Sequence, residues 1–180
     1  MHAMKSEGNP NGVLLLSGGV DSAFLLFQER PRLALFVDYG QPAAADESRS
    51  AHLLANYRGC SIESVAVKNA PLGDMGSGKA AHVVPARNLW LISLAFAHCL
   101  PNEDVWIGAA PNDHHYADCR CDFLNAFGDV SKSLGFGRVR YSHQRREERV
   151  FFLLQEGLLH LTQSCYHGEP ACGKCPSCLQ

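Results

Sequence analysis

The chain has 180 residues, of which 46% are hydrophobic and 19% are charged, and its formal net charge is −2 at pH 7. This size and composition fit one compact domain with a hydrophobic core. The nearly balanced charge lacks the surplus of basic residues that is typical of nucleic-acid-binding proteins. No apolar run approaches the roughly 20 residues of a membrane helix, and residues 1–11 lack the apolar core of a signal peptide. We therefore expect a cytoplasmic protein that binds neither a membrane nor, directly, a nucleic acid.

Strand-like and helix-like runs alternate along the chain, and this alternation favours an α/β fold with a doubly wound parallel sheet and helices on both faces. We assign residues 1–160 to this domain and residues 161–180 to a small cysteine-rich appendage. The predicted strands are 12–16, 32–37, 61–67, 104–107 and 138–141, and the predicted helices are 21–29, 43–57, 87–100, 122–134 and 146–156.

The first predicted strand runs into a Ser-Gly-Gly-x-Asp-Ser turn at residues 17–22 and then into a helix. Glycines let the backbone approach a ligand, and the first amides of a helix favour an anion such as phosphate. The hydroxyls of Ser17 and Ser22 add donors, whereas Asp21 suits a phosphate site if it caps the helix or holds Mg²⁺. The turn therefore predicts a nucleotide plus metal, and the alternative is a glycine turn that binds nothing.

No Gly-Lys-Ser or Gly-Lys-Thr follows this turn, and the dinucleotide fingerprint is absent. The sequence therefore excludes a P-loop kinase, a GTPase and a dehydrogenase. The turn instead resembles the pyrophosphate loop (PP-loop) of enzymes that cleave ATP between its α and β phosphates and pass AMP to an oxygen. We expect Ser17 and Asp21 to be catalytic. The predicted ATP contacts in this turn are Leu16, Ser17, Gly18, Gly19, Val20, Asp21 and Ser22.

Further polar loops follow the carboxyl ends of predicted strands, where ligands of parallel α/β sheets bind. Asp38 and Gln41 follow the second strand and are expected to meet the nucleotide or metal. Arg87 opens a helix with a guanidinium that matches phosphate or carboxylate oxygens. A loop salt bridge or helix cap is the alternative for each of these residues. The predicted substrate contacts are Arg87, Asn88, Asp113, Tyr116, Asp118 and Arg120.

Four cysteines near the end of the chain follow a Cys-x6-Cys-x2-Cys-x2-Cys pattern. Tetrahedral Zn²⁺ takes four thiolates, and a two-residue spacer lets a turn direct two sulfurs at one ion. Four protein ligands close the coordination sphere, so we predict a structural ion that fastens the appendage to the domain. A disulfide or redox pair and an iron–sulfur cluster are the alternatives. The predicted metal ligands are Cys165, Cys172, Cys175 and Cys178.

Five motifs occur in order and together resemble the 7-cyano-7-deazaguanine synthase (QueC) family over nearly the whole chain. They are Ser17-Gly18-Gly19-Val20-Asp21-Ser22, Asp38-Tyr39-Gly40-Gln41, Val84-Pro85-Ala86-Arg87-Asn88, Tyr116-Ala117-Asp118-Cys119-Arg120, and Ser164-Cys165-Tyr166 with the three later cysteines. The resemblance implies an adenine nucleotide alpha hydrolase-like fold, ATP, Mg²⁺, structural Zn²⁺ and often a homodimer. It also implies a 7-carboxy-7-deazaguanine substrate: family members adenylate its carboxylate, let ammonia displace AMP, then activate the amide and expel AMP to leave the nitrile used in queuosine biosynthesis.

Three departures from the family pattern leave the acceptor open. Pro42-Ala43 stand where the family usually has Arg-His, Gln163 stands where it usually has Trp, and residues 141–146 replace a Pro-Leu segment with a later lysine. One alternative is therefore a QueC-like enzyme of an antiviral defence system that joins the activated acid to a protein amine, such as a chain N-terminus. A second alternative is a non-catalytic nucleotide-binding scaffold.

Overall fold

The computed structural model describes residues 11–70, 84, 86–109, 116–175 and 178. Within them, five α-helices and five strands lie in the predicted order, and each end falls within three residues of its predicted position. No helix in these ranges is both long enough and apolar enough to span a membrane. The elements are β1 (Val13–Leu15), α1 (Val20–Glu29), β2 (Leu33–Asp38), α2 (Ala44–Arg58), β3 (Ser61–Ala66), α3 (Arg87–Ala97), β4 (Val105–Trp106), α4 (Cys121–Ser133), β5 (Val139–Arg140) and α5 (Arg146–Gln155).

The strands form one sheet in the order β3-β2-β1-β4-β5, and every neighbouring pair is parallel. Side chains of β1 alternate between the two faces of the sheet. Leu14 and Leu16 join a buried cluster with residues of α1, α2 and α5, whereas Val13 and Leu15 join a second cluster with residues of α3 and α4. The predicted doubly wound sheet with helices on both faces is confirmed.

The order of the strands places the topological switch point between β1 and β4. The connections that follow these two strands run to opposite faces of the sheet, so a crevice opens at the carboxyl ends of β1 and β4. The loops after these two strands lie in close backbone contact. A Cβ atom at Gly108, just after β4, would lie only 3.0 Å from the Ser22 amide nitrogen. A glycine at this position therefore lets the loop after β4 lie directly against the first turn of α1.

An ion pair lies at the opposite end of the sheet, where the strands begin. Arg32 precedes β2 and donates from Nε and Nη2 to the two carboxylate oxygens of Glu103 at 2.6 and 2.8 Å. The Leu100 amide also donates to Glu103, at 2.8 Å. The side-chain hydrogen bond from Arg32 holds the pKa of the Glu103 carboxyl below its ordinary value. This pair connects the starts of β2 and β4 and was not predicted from the sequence.

Candidate active site

The phosphate loop, defined here as residues 17–22, leaves β1 and enters α1 at the switch point. Its two serines bind each other, with Oγ atoms 3.1 Å apart, and the Ser22 hydroxyl also donates to the Gly19 carbonyl at 3.1 Å. The Ser17 amide donates to Ser22 Oγ at 3.2 Å. Ser22 is buried and Ser17 is exposed. Ser22 therefore maintains the shape of the loop, and Ser17 presents its side chain to the solvent.

Gly18 lies where the phosphate loop touches two other parts of the chain. Its φ angle is +80°, and a Cβ atom there would lie 2.6 Å from the Glu47 carbonyl oxygen and 2.8 Å from Ser50 Cβ in α2. On the other side, the Gln163 amide donates to the Gly18 carbonyl at 2.8 Å. The loop is therefore packed between α2 and the segment that leads into the cysteines.

Asp21 makes an ion pair with the first turns of α5. Its Oδ1 accepts a hydrogen bond from Arg149 Nη1 at 2.9 Å, and its Oδ2 accepts one from Arg146 Nη1 at 3.1 Å. The N-cap of α1 is Gly19, which has no side chain, and Asp21 lies in the first turn of this helix. A capping role for Asp21 stays one of the two alternatives. Two guanidinium groups at the carboxylate repel a cation, so this arrangement of Asp21 does not fit a magnesium ligand.

Arg146 and Arg149 were not assigned to the site from the sequence. At the start of α5, the Arg145 amide donates to Glu148 Oε2 at 2.8 Å, and one helical turn separates the two arginines that contact Asp21. Arg149 is 0% exposed, whereas the Arg146 side chain is 21% exposed. The available signal was the arginine-rich segment 145–149, five residues after the last strand of a parallel sheet, because that strand also ends at the ligand-binding edge.

The loop after β2 uses its predicted ligand residues in local hydrogen bonds. Gln41 Nε2 donates to the Val37 carbonyl at 3.2 Å and to Glu47 Oε2 at 2.8 Å, and Gln41 Oε1 accepts from the Tyr39 amide at 2.9 Å. Asp38 is exposed, and its Oδ1 accepts a hydrogen bond from the Gly40 amide at 2.9 Å. Burial raises the pKa of the Glu47 carboxyl, and the Gln41 bond opposes that rise. Gln41 therefore shapes this loop, and ligand contacts by Asp38 and Gln41 stay predictions.

Several predicted substrate residues meet at the start of α3, next to a short 3-10 turn at Ala117–Cys119. The Asn88 amide donates to Asp118 Oδ2 at 2.8 Å, so Asp118 caps α3. The buried Asn88 side chain donates to the Asp118 carbonyl at 3.0 Å and to Cys119 Sγ at 3.2 Å. Asn88 and Asp118 are thus helix-cap partners in this structure, and their contact with a substrate stays a prediction.

The remaining predicted substrate residues border this turn. Arg87 lies beside Tyr39. Burial raises the pKa of the Tyr39 hydroxyl above its ordinary value, and the nearby Arg87 guanidinium opposes part of that rise. Tyr116 is half-buried before the turn, and Arg120 is exposed after it. Asp113 lies outside the described residues. The structure therefore brings Arg87, Tyr116 and Arg120 to one edge of the sheet, and their contact with a substrate stays a prediction.

The four cysteines of the appendage converge. One ligand atom from each of Cys165, Cys172, Cys175 and Cys178 lies within 4.8 Å of all the others. Amides of Lys174 and Cys175 donate to Cys172 Sγ at 3.4 and 3.3 Å, and these bonds lower the pKa of the Cys172 thiol to about 6. Tetrahedral Zn²⁺ with bonds of about 2.3 Å requires sulfurs about 3.8 Å apart. The cluster therefore fits one thiolate-bound ion and is a candidate metal site.

The appendage docks on α2. The Glu169 amide donates to Asp46 Oδ2 at 2.8 Å, and Arg49 Nη1 lies 3.0 Å from Asp46 Oδ1 and 3.4 Å from Glu169 Oε2. Together with the bond from Gln163 to Gly18, these contacts place the cysteine cluster next to both α2 and the phosphate loop. A metal ion in the cluster is therefore positioned to stabilise the outer side of the loop.

A five-stranded parallel sheet with a glycine-rich turn at its switch point defines an α/β protein of the PP-loop nucleotide-binding class. The family model described as "Queuosine biosynthesis protein QueC" matches residues 11–180. The chain belongs to the QueC family.

Curated relatives agree with this assignment. The chain is 31% identical to a 7-cyano-7-deazaguanine synthase of Anaeromyxobacter sp., over 98% of this chain and 91% of the relative. It is 32% identical to that of Chromohalobacter salexigens, over 97% and 81%, and 29% identical to that of Thiobacillus denitrificans, over 94% and 90%. The similarity thus spans both the sheet and the cysteine appendage.

A solved structure shares the fold. It is the U34-tRNA thiolase NcsA from Methanococcus maripaludis with its [4Fe-4S] cluster, with a TM-score of 0.56 and 15% identity. The match covers 86% of this chain and 60% of the thiolase chain. At this identity the likeness shows the architecture alone.

Proposed function

We propose that this protein is an ATP-dependent ligase that converts 7-carboxy-7-deazaguanine and ammonia into 7-cyano-7-deazaguanine. The observation that carries the proposal is the phosphate loop at the switch point, with two arginines against one aspartate. Arg146 and Arg149 bring two positive charges against the single negative charge of Asp21, next to the amide donors of a helix start. This combination suits the polyphosphate of ATP.

Each of the two ATP-consuming steps of the proposed reaction converts a poor leaving group on carbon into AMP. A carboxylate oxygen of the substrate attacks the α-phosphorus of ATP, the bond to the β-phosphate oxygen breaks, and pyrophosphate leaves. Donors of the phosphate loop stabilise the charge that develops on pyrophosphate. Ammonia then attacks the carbonyl carbon and loses a proton as AMP departs, which gives the amide.

The nitrile requires a second ATP. The amide oxygen attacks the α-phosphorus and pyrophosphate leaves again. The nitrogen then loses its two protons as the carbon–oxygen bond to AMP breaks, and the carbon–nitrogen triple bond forms. Both activations need the same placement of the α-phosphorus, so one phosphate loop serves both.

We propose that the four-cysteine cluster holds structural Zn²⁺. Four thiolates complete the tetrahedral coordination and leave no position for water or substrate. The ion would supply folding free energy to the appendage and no step of the reaction. The close spacing of the sulfurs favours a single ion. In a four-iron cluster each cysteine binds a different iron, so the sulfurs would lie further apart.

Product mass tests the proposed reaction directly. The protein is incubated with ATP, Mg²⁺, 7-carboxy-7-deazaguanine and ammonium, and AMP and the deazaguanine products are measured by mass spectrometry. We expect acid-dependent AMP and the nitrile. The exposed hydroxyl of Ser17 lies in the loop, so Ser17→Ala should slow AMP formation, whereas Ser133→Ala on the exposed side of α4 should not.

Two results would contradict the proposal. Absence of AMP in the presence of the acid would indicate a nucleotide-binding scaffold. An adenylate that accumulates with ammonium and gives neither amide nor nitrile would rule out ammonia as the acceptor and direct the search to a protein amine.

A further inference from the structure

Arg149 connects the carboxyl ends of three strands. Its Nη1 donates to Asp21 Oδ1 at 2.9 Å, in the first turn after β1. Its Nη2 donates to the Ala109 carbonyl at 3.2 Å, after β4, and to the Ser142 carbonyl at 3.1 Å, after β5. One guanidinium therefore bonds to each of the loops that border the switch-point crevice on the α5 side.

The position of Arg149 is fully buried. The residue is 0% exposed, and its guanidinium carbon lies 6.0 Å from the centroid of the Phe24 ring in α1. A buried arginine requires an anion and several acceptors, because an unpaired charge in an apolar environment is strongly destabilising. Asp21 supplies the anion, and the two carbonyls supply further acceptors.

Arg146 completes the arrangement from the same helix. It contacts the second oxygen of Asp21 at 3.1 Å and keeps 21% of its side chain exposed. With Asp21 held by Arg149, the Arg146 guanidinium is placed beside the phosphate loop and remains accessible to solvent. A polyphosphate entering the loop would thus meet Arg146, whereas Arg149 lies behind Asp21.

We propose that Arg149 is a positioning residue for polyphosphate binding, which it supports through Asp21. It fixes the Asp21 carboxylate against the ends of β4 and β5, and the fixed carboxylate in turn orients Arg146 towards the phosphate loop. This inference rests on the proposed ATP-dependent function and assigns a role to a residue far from the loop in sequence.

The planar fork of Arg149 is the feature that the role requires. Lysine retains the charge but presents it as a point, and it does not bond three acceptors in the same fixed plane. Arg149→Lys should therefore loosen Asp21 and weaken nucleotide binding. Arg138→Lys is the matched control, because Arg138 is exposed and precedes β5 at the opposite edge of the sheet.

A double-mutant cycle on nucleotide binding tests the inference. The dissociation constant of Mg²⁺-bound α,β-methylene-ATP, which resists cleavage at the α–β position, is measured by calorimetry for the wild type, Arg149→Lys, Asp21→Asn and the double variant. We expect Arg149→Lys to weaken binding about tenfold in the wild-type background and less than about twofold in the Asp21→Asn background, because the residue acts through Asp21. Arg138→Lys should leave the constant unchanged.

The outcomes separate this inference from the proposed function. An equal loss in both backgrounds would assign Arg149 a general structural role and overturn the inference alone. A wild type that does not bind the analogue would overturn both proposals. A non-additive cycle in a protein that forms no AMP would support the inference and contradict the ligase chemistry. If Arg149→Lys does not fold, Arg149→Gln enters the same cycle, since its amide keeps a donor for the carbonyls.

Discussion

Asp21 acquires its environment from residues 125 and 128 positions further along the chain. The Ser-Gly-Gly-x-Asp-Ser pattern located this carboxylate correctly in a loop between strand and helix. The pattern contains no information about α5, so a cap or a metal was expected in place of two arginines. The role of a motif residue thus depended on tertiary packing that local sequence does not encode.

Replacing Asp21 should therefore reduce stability as well as activity. Asp21→Ala leaves the fully buried Arg149 without its anion, and we expect a loss of about 3 kcal/mol in the free energy of unfolding. Urea denaturation measures this change. Asp129→Ala, at an exposed position in α4, is the control and should change the stability by less than about 0.5 kcal/mol. A variant as stable as the wild type would show that the Asp21–Arg149 pair is not formed.

Gly18 offers a test of the packing around the phosphate loop. Gly18→Ala places a methyl group 2.6 Å from the Glu47 carbonyl oxygen, in a residue whose φ is +80°. Gly135 has a φ of +82° with no atom within 4 Å of the added methyl group, so Gly135→Ala has the same backbone strain without the clash.

We expect Gly135→Ala to lower the free energy of unfolding by about 1 kcal/mol, the strain of a left-handed alanine. Gly18→Ala should lower it by about 2 kcal/mol more and should also weaken nucleotide binding, because the loop must move. Thermal unfolding and calorimetry with the ATP analogue measure the two effects. Equal losses for the two variants would refute the tight contact between the loop and α2.

At the scale of elements, the alternating runs predicted every described α-helix and strand, including the two-residue strands β4 and β5, but not the two short 3-10 helices at Ala117–Cys119 and Leu159–Leu161. Strand β4 was predictable because it lies in the apolar run 105–107, and β5 was predictable because Val139 and Tyr141 alternate with two arginines. Helix α3 ends at Ala97, before the predicted residue 100, because residue 101 is proline and the preceding residue avoids helical geometry. Docking of the appendage on α2 was not predictable, since Asp46 and Glu169 show no sequence pattern that pairs them.

The ion pair between Arg32 and Glu103 gives a prediction for the elements β2 and β4. Arg32→Met leaves the buried Glu103 carboxylate without its partner, and we expect the free energy of unfolding to fall by about 2 kcal/mol at pH 7. This is less than the loss for a fully buried pair, because the Arg32 side chain is 34% exposed and solvent screens its charge. Arg140→Met, which breaks an exposed pair with Asp104, is the control and should cost less than about 1 kcal/mol.

The pH dependence of this loss follows from the pKa of Glu103. Arg32 lowers that pKa in the folded protein, so the pair stabilises the fold above the ordinary carboxyl pKa and ceases to do so as the pH falls through the lowered value. In Arg32→Met, burial without the arginine disfavours the charged carboxylate. The difference between wild type and variant, measured by urea denaturation, should therefore shrink from pH 7 towards pH 3. A difference that does not depend on pH would contradict this electrostatic account.

At the scale of the whole molecule, the cysteine appendage connects the end of the chain to its first loop. Cys175→Ser removes one of the four thiolates of the proposed zinc site, so the zinc content and the melting temperature should fall together. Metal content by mass spectrometry and thermal unfolding give the two readouts. Cys60→Ser, at a cysteine outside the cluster, should leave the zinc content unchanged.

The coupling between the appendage and the loop extends this prediction. Gln163, two residues before Cys165, bonds to Gly18 at 2.8 Å, so loss of the ion should also increase hydrogen exchange at the loop amides. Unaltered zinc stoichiometry in Cys175→Ser would contradict the assignment of the site. Loss of zinc with unchanged exchange in the loop would contradict the coupling.

The central claim is that the phosphate loop places the α-phosphorus of ATP for attack by the substrate carboxylate. The most direct measurement is exchange of labelled pyrophosphate into ATP, with Mg²⁺ and 7-carboxy-7-deazaguanine present and ammonia absent. The account predicts exchange that requires the acid and declines strongly in Ser17→Ala. Absence of exchange in the wild type, under conditions where the ATP analogue and the acid both bind, would contradict it.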